Sequence, residues 1–398
     1  MIYLDNSATS EPAPEVLEAM LPYLREEFGN PSSKYYTLAQ HAADAVETGR
    51  AQVARLIGAQ PEEIIFTSGA TESTNMIIKG VCDYKKYYER AGSHIITSKA
   101  EHHATLNTCR FLNGEVYSNH DATFSLSGEP VRVDRGYSVT FLDVNGYGQV
   151  EPDVFERAVR PDTVLASIIW ANNELGSVND IAALCEAAHR HSIPFHADGT
   201  QIVGKLPVDV RETPVDFLSL SAHKFHGPKG VGAAYLKSDG YGIPPITALI
   251  HGGEQEHGHR GGTLAVHNIV GMGKAAELAR LHLEQNAEKL RGLEAAVLHE
   301  LARFPAVTVL GDPLRRLPGV ISVVIDDPAF DNERFIKSVG SKFALSTGSA
   351  CTAGAPSHVL QAVGRGRDVS RVLRVSLSPD NSLEQVIALF SEIFSRGT

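Results

Sequence analysis

Cysteine is scarce in this chain: 398 residues hold four, Cys82, Cys109, Cys185 and Cys351, far apart and without a CxxC pair. That excludes the disulfide-dense scaffold of a small secreted domain and fits a reducing, cytoplasmic compartment. Long apolar runs are missing too. Nothing approaches the length of a membrane span, and Met1-Ile-Tyr-Leu-Asp-Asn lacks the basic and then apolar stretch of a secretory signal, so no membrane partner is expected. Basic residues are outnumbered, 36 Lys and Arg against 47 Asp and Glu. The net charge of −11 argues against direct nucleic-acid binding and leaves small molecules and proteins as partners. Repeats and low-complexity tracts are absent. What is present is a chain 43% hydrophobic and 21% charged, able to bury a large core and expected to form one large domain with a smaller one attached.

From Leu38 to Ile57 apolar positions recur at spacings of three and four, and Gly58 follows as a stop, which predicts a core-facing helix. Short apolar runs come next: Glu63-Ile-Ile-Phe-Thr, Ser93-His-Ile-Ile-Thr, Thr163 to Trp170, Ile193-Pro-Phe-His and Phe217-Leu-Ser-Leu. Most are separated by helix-like segments such as Asp180 to His191, an alternation that implies a parallel sheet covered on both faces. A long helical stretch is expected from Met272 to Phe304. After it the order reads strand Gly319–Asp326, helix Asn332–Val339, strands Phe343–Ser346 and Val372–Ser376, and helix Leu383–Phe394, opened by the capping box Ser382-Leu-Glu-Gln385.

In open sheets of this kind ligands bind beyond the carboxyl ends of the strands, and here the residues after each run are polar. Thr67-Ser-Gly-Ala-Thr-Glu-Ser73 is a small-residue turn opening a helix, suited to cradle a phosphate and equally readable as a capped turn. Asn172-Asn173-Glu174 follows the third run, and His196-Ala-Asp198-Gly-Thr-Gln201 the fourth. A carboxylate in Asp198's place can hold a protonated ring nitrogen such as that of pyridoxal phosphate (PLP). Ser219-Leu-Ser221-Ala-His223-Lys224 follows the fifth, and a lysine amine is the group that forms a Schiff base with PLP.

Taken in order, the motifs SGATE, EHH, NNE, HADGTQ, SxSAHK and STGSAC resemble the cysteine desulfurases, the NifS/IscS-like group of fold-type-I PLP enzymes in the class-V aminotransferase family. The likeness runs from Tyr3-Leu-Asp5 to Arg374-Val-Ser376 and includes Gly29-Asn-Pro-Ser-Ser33 and Arg260-Gly-Gly-Thr-Leu264. It implies an α/β fold: a large domain with a mixed, mostly parallel sheet covered by helices, and a smaller α+β C-terminal domain. The expected division assigns residues 14–262 to the large PLP-binding domain. Residues 1–13 and 263–398 then form the small one, which carries the Cys351 loop.

The resemblance also implies roles. Lys224 is the Schiff-base lysine, Asp198 pairs with the pyridine nitrogen, Gln201 and Asn173 lie near the phenolic oxygen, and His102 stacks on the ring and relays a proton. Gly69, Ala70, Thr71, Ser221 and His223 hold the phosphate, with Thr263 reaching in from the second subunit of a homodimer. Arg374 and Asn173 meet the substrate, the planar arginine fork suiting a carboxylate. The substrate is L-cysteine, and the products are L-alanine and a persulfide on Cys351, which passes its sulfur to a protein acceptor. Ser346-Thr-Gly-Ser-Ala-Cys351-Thr-Ala-Gly354 surrounds that thiol with small residues, as an exposed carrier loop requires.

Other readings compete. Selenocysteine lyase and cysteine sulfinate desulfinase use the same cofactor. The stretch His251-Gly-Gly-Glu-Gln-Glu-His257-Gly-His259 could bind a metal and make the protein a metal-dependent hydrolase, although it lacks helical histidine spacing. Three departures from the family pattern bear on the acceptor. The segment from Leu112 to Gly136 is longer than expected by about twenty residues and reads as a surface excursion. The loop from Cys351 to Ser357 is slightly short, and the chain ends at Thr398 without the extension by which housekeeping members dock an iron–sulfur scaffold. A dedicated role, supplying tRNA thiolation or DNA phosphorothioation, is therefore expected alongside iron–sulfur cluster assembly.

Overall fold

The computed structural model describes residues 1–116, 130–348 and 357–395, without the side chains of 394 and 395. Cys351 and the middle of the Leu112–Gly136 segment lie outside these residues. The apolar spacing after Leu38 builds the helix Thr37–Ile57, which buries Ala42, Val46, Val53 and Leu56 and ends at Gly58 with φ 72°. Glycine adopts that left-handed cap without a Cβ penalty.

All five apolar runs are strands of one seven-stranded sheet. From edge to edge it runs Ile64–Thr67, Gly232–Leu236, Phe217–Ser221, Phe195–Asp198, Thr163–Ile169, His94–Ser98, Ser138–Leu142. Two of these escape the sequence pattern. Gly232-Ala-Ala-Tyr-Leu is made largely of small residues, and Ser138-Val-Thr-Phe-Leu is partly exposed at the edge. Gly232–Leu236 pairs antiparallel with both neighbours and the other pairings are parallel, so the sheet is mixed and mostly parallel. Its inner strands are buried along nearly their whole length, as a sheet covered on both faces requires.

A second, three-stranded antiparallel sheet joins Val307–Val309, Val320–Ile325 and Val372–Ser376. The N-terminus reaches it: Ile2–Tyr3 pairs with Phe343–Ala344, and Asp5 bridges to Ser376. The helices Asn332–Val339 and Leu383–Ser395 cover this unit, the latter with Ser382 and Gln385 bonding reciprocally in the expected capping box. The long helix runs Val266–Leu301 and begins earlier than its sequence pattern indicates. Its first half puts Val266, Ile269 and Met272 into the large core, and its second half puts Leu290, Val297 and Leu301 into the smaller one. One rod thus joins two cores, and the strand ends of the large sheet face the N-terminal segment and Arg374 of the small one.

Candidate active site

The carboxyl ends of the large sheet open on a cavity of about 390 Å³. Lys224 enters it from the short turn Ala222–Lys224, directly after the strand Phe217–Ser221. Its Nζ donates to the carbonyls of Ser7 (2.7 Å) and Ala8 (2.8 Å), so the N-terminal segment forms one wall. Asp198 ends the neighbouring strand, only 3% exposed, with Oδ1 accepting from the Thr200 backbone. Gln201, one turn on, donates from Nε2 to the Ser7 carbonyl at 2.9 Å.

His102 forms another wall at the start of the helix His103–Leu112. Its Nδ1 accepts from the Ala104 amide, so the neutral ring carries its proton on Nε2. Burial lowers its affinity for a second proton; Asp198 opposes this and Lys224 adds to it. His223 is likewise held neutral, down to about 4, first by burial and then by Lys224, Lys229 and Lys205.

An anion seat closes one end. The helix Ala70–Tyr87 starts at Gly69 with no side chain capping its first amides. Ser221 lies against Gly69, whose φ of 152° favours glycine, and a Cβ on Gly232 in the adjoining strand would stand 2.6 Å from the Gly69 Cα, so position 232 needs glycine for the two backbones to approach. Open amides at a helix start, with the Ser221 hydroxyl and His223 beside them, favour a phosphate. Gly69, Ala70, Thr71, Ser221 and His223 all line the cavity, as do His102, Asn173, Asp198, Gln201, Lys224 and Arg374.

Arg374 comes from the small sheet and is 1% exposed. Its Nη2 pairs with Asp5 at 2.7 Å, and its Nη1 bonds the carbonyls of Asn173 and Gly348. Nε is buried with no partner among the described residues, which leaves this guanidinium short of acceptors at the cavity wall. Glu174, whose carboxyl burial pushes up, accepts from Ser357 Oγ at 2.6 Å and lies under Gly348. It thereby touches both residues that flank the undescribed Cys351 segment. The other three cysteines are buried, and burial raises each thiol above its ordinary value, so none is a nucleophile.

Two other candidate groups stand outside the cavity. Thr263 is exposed and does not line the cavity of its own chain. The His251–His259 stretch gathers no metal-binding cluster among the described residues. Its Glu256 is instead consumed by Arg50, through Nη2–Oε1 at 2.7 Å and Nη1–Oε2 at 2.9 Å, and by the Phe66 amide at 2.6 Å. The EHH motif contains Glu101 and His103 but drew attention only to His102, and His358 was passed over; all three also line the cavity. Glu101 and His103 flank His102 directly, and that adjacency was the available signal. Glu101 is fully buried, and burial raises its carboxyl to about 8 despite a 2.6 Å bond from Ser98.

An amine, a buried carboxylate, a wall imidazole and an anion seat around one cavity are the donors that a phosphorylated pyridine aldehyde requires. The family model for class-V aminotransferases matches residues 2–389, and the chain belongs to that family; its cofactor is PLP. Within the family its relatives are cysteine desulfurases. The cysteine desulfurase IscS of Methylococcus capsulatus is 40% identical over 390 residues, 97% of this chain and 89% of that one. Among solved structures, a NifS-like protein superposes with a TM-score of 0.85 at 32% identity, covering 100% of both chains. SspA in complex with cysteine gives a TM-score of 0.78 at 34% identity over 95% of this chain and 99% of that one. No described helix is long and apolar enough to cross a membrane.

Proposed function

We infer that the protein is a cysteine desulfurase: it converts L-cysteine and an enzyme thiol into L-alanine and an enzyme persulfide. The C–S bond of the substrate breaks, an S–S bond forms on Cys351, and the thiol proton is retained in the products. The observation that carries this reading is the convergence of Lys224, Asp198, His102 and Arg374 on one cavity beside the two ends of the Cys351 segment. PLP, when bound, supplies the electron sink that loosens the substrate's bonds.

The chain's own groups supply the rest. Lys224 tethers the cofactor, and Asp198, too buried to be screened by water, stabilises positive charge on the ring nitrogen. Gln201 and Asn173 flank the ring oxygen, and the amides after Gly69, with Thr71, Ser221 and His223, hold the phosphate. His102, neutral with its proton on Nε2, stacks on the ring and donates or accepts a proton there. Arg374 takes the substrate carboxylate through its guanidinium, with Asn173 beside it.

Persulfide sulfur leaves Cys351 for a protein acceptor in the cytoplasm, where thiols stay reduced. The active unit is a homodimer in which Thr263 serves the phosphate of the partner's site; its exposure and its place outside its own cavity support this. Residues 14–262 act as the PLP-binding unit, and the remainder carries Arg374 and Cys351. Incubation with L-cysteine should yield alanine together with a Cys351 peptide heavier by one sulfur. Cys351→Ala should keep the cofactor and lose persulfide, and full turnover in that variant removes Cys351 from the reaction.

A further inference from the structure

One half-buried lysine beside the cavity has no part in the reaction described above. The chain turns sharply after Asp198, with the Ile202 and Val203 amides both bonding to the Gly199 carbonyl, which brings Lys205 back beside Gln201. Lys205 Nζ donates to Gln201 Oε1 at 3.0 Å. Gln201 passes the link on from Nε2 to the Ser7 carbonyl, and that carbonyl also receives Lys224 Nζ. Two lysines are therefore joined through one amide and one shared carbonyl.

The turn is locked to the Lys224 loop. Gly204 has φ 79°, and a Cβ there would stand 2.6 Å from Phe225 Cβ, so the residues next to each lysine pack without room for another side chain. The charged groups acting on Lys205 are Lys224 and, from the small sheet, Arg374, both cationic; His223 on the Lys224 loop feels Lys205 in turn. Burial first, then these two cations, bring Lys205 down to about 7. An amine works as a nucleophile only when neutral, and a neighbouring cation is one way to keep it so.

We propose that Lys205 is a positioning residue for Lys224: through Gln201 and the Ser7 carbonyl it fixes the tethering amine, and by its charge it disfavours protonation there. The inference rests on Lys224 being the cofactor lysine. It also explains which way the Gln201 amide faces. With Oε1 committed to Lys205, the NH₂ end is turned toward Ser7 and the cavity, where a ring oxygen can receive it.

The test is made on the holoenzyme by following the visible band of the bound cofactor against pH in wild type, Lys205→Arg and Lys205→Met. Arginine keeps a permanent charge and methionine has none. The midpoint of Lys205→Arg is expected below that of Lys205→Met by roughly one pH unit, a tenfold change in the proton equilibrium. Coincident midpoints in the two folded variants overturn the proposal. Folding is checked by circular dichroism; Lys205→Gln replaces a methionine variant that fails. Wild type replaces a failed arginine variant and is compared below pH 7, where Lys205 is cationic, and there it must hold a smaller protonated fraction than the neutral variant. A wild-type protein with no lysine-bound cofactor band overturns the reading of Lys224 as well, whereas a normal band with coincident midpoints overturns only the role of Lys205.

Discussion

Glu256→Gln is the perturbation whose cost can be worked most directly from this structure. Glu256 is 5% exposed and makes three bonds, two to the equally buried Arg50 guanidinium and one from the Phe66 amide. Arg50 also donates to the Ile64 carbonyl at 2.6 Å, so the pair ties the 251–261 loop to the edge strand Ile64–Thr67. Glutamine retains one acceptor oxygen and can keep the Phe66 bond, but it leaves the buried Arg50 with only the exposed Glu47, bonded at Nε at 3.1 Å, as counter-charge. Losing one or two charge-assisted bonds at about 1.5–3 kcal/mol each agrees with the 3–5 kcal/mol typical of breaking a buried pair. With an unfolding entropy of about 2.1 cal/mol/K per residue, a chain of this length loses roughly 0.8 kcal/mol per kelvin, so a cost of ~4 kcal/mol lowers the melting temperature by about 5 °C. Differential scanning calorimetry of the holoenzyme measures it. Removing the cation as well, as Arg50→Met with Glu256→Gln, should recover much of the loss, because it takes away the stranded charge and keeps an acceptor for the Phe66 amide. A single variant that melts within about 1 °C of wild type refutes the assignment of that energy to the pair.

Asp198→Asn should leave the fold and the cofactor site assembled yet lower alanine formation by at least roughly a hundredfold, the order lost when a buried electrostatic partner is removed; near-normal turnover contradicts its pairing with the ring. His102→Ala should slow turnover about a hundredfold or more even with excess PLP, as general acid–base groups do when deleted, and an unchanged rate excludes the proton role. In Glu101 the folded carboxyl sits at about 8 against an ordinary 4.5, so between those values the native state holds a proton the unfolded chain has lost, and stability falls as pH rises. Glu101→Gln should therefore gain on wild type in urea midpoint between about pH 4.5 and about pH 8, and a constant difference would show that Glu101 is ionised throughout. His196, bonded to Ser167 and Ser219 and lowered by burial to about 4 from 6.5, acts in the opposite sense: stability it contributes above 6.5 is lost as pH falls to about 4. His196→Gln should flatten the urea midpoint over that window; an unaltered slope would assign the acid sensitivity elsewhere.

Much of the site is legible in order along the chain because a parallel sheet delivers successive strand ends to one edge. Asp198, Lys224 and the Gly69 turn each follow an apolar run, so a linear pattern maps onto one cavity. Arg374 is different in kind. Only its motif pointed to it, and nothing in its neighbourhood says that it faces Asp5 and Asn173, residues 369 and 201 positions away. The strand Gly232–Leu236 is hidden for a related reason: small residues carry little periodic signal, and the first of them, Gly232, is there because the Gly69 turn comes close.

The histidine-rich stretch shows the same boundary from the other side. Residue types suggested a metal, but which partner a carboxylate finds depends on what the fold lays against it, and here that is Arg50, 206 positions earlier. By itself, then, the sequence determined the alternating architecture, the cofactor chemistry and the groups at the strand ends, because local periodicity and residue chemistry travel with the chain. Tertiary structure alone decided the Arg50–Glu256 tie, the Lys205–Gln201–Ser7–Lys224 path and the burial that sets Glu101, since desolvation and pairing arise only when distant segments exclude water together.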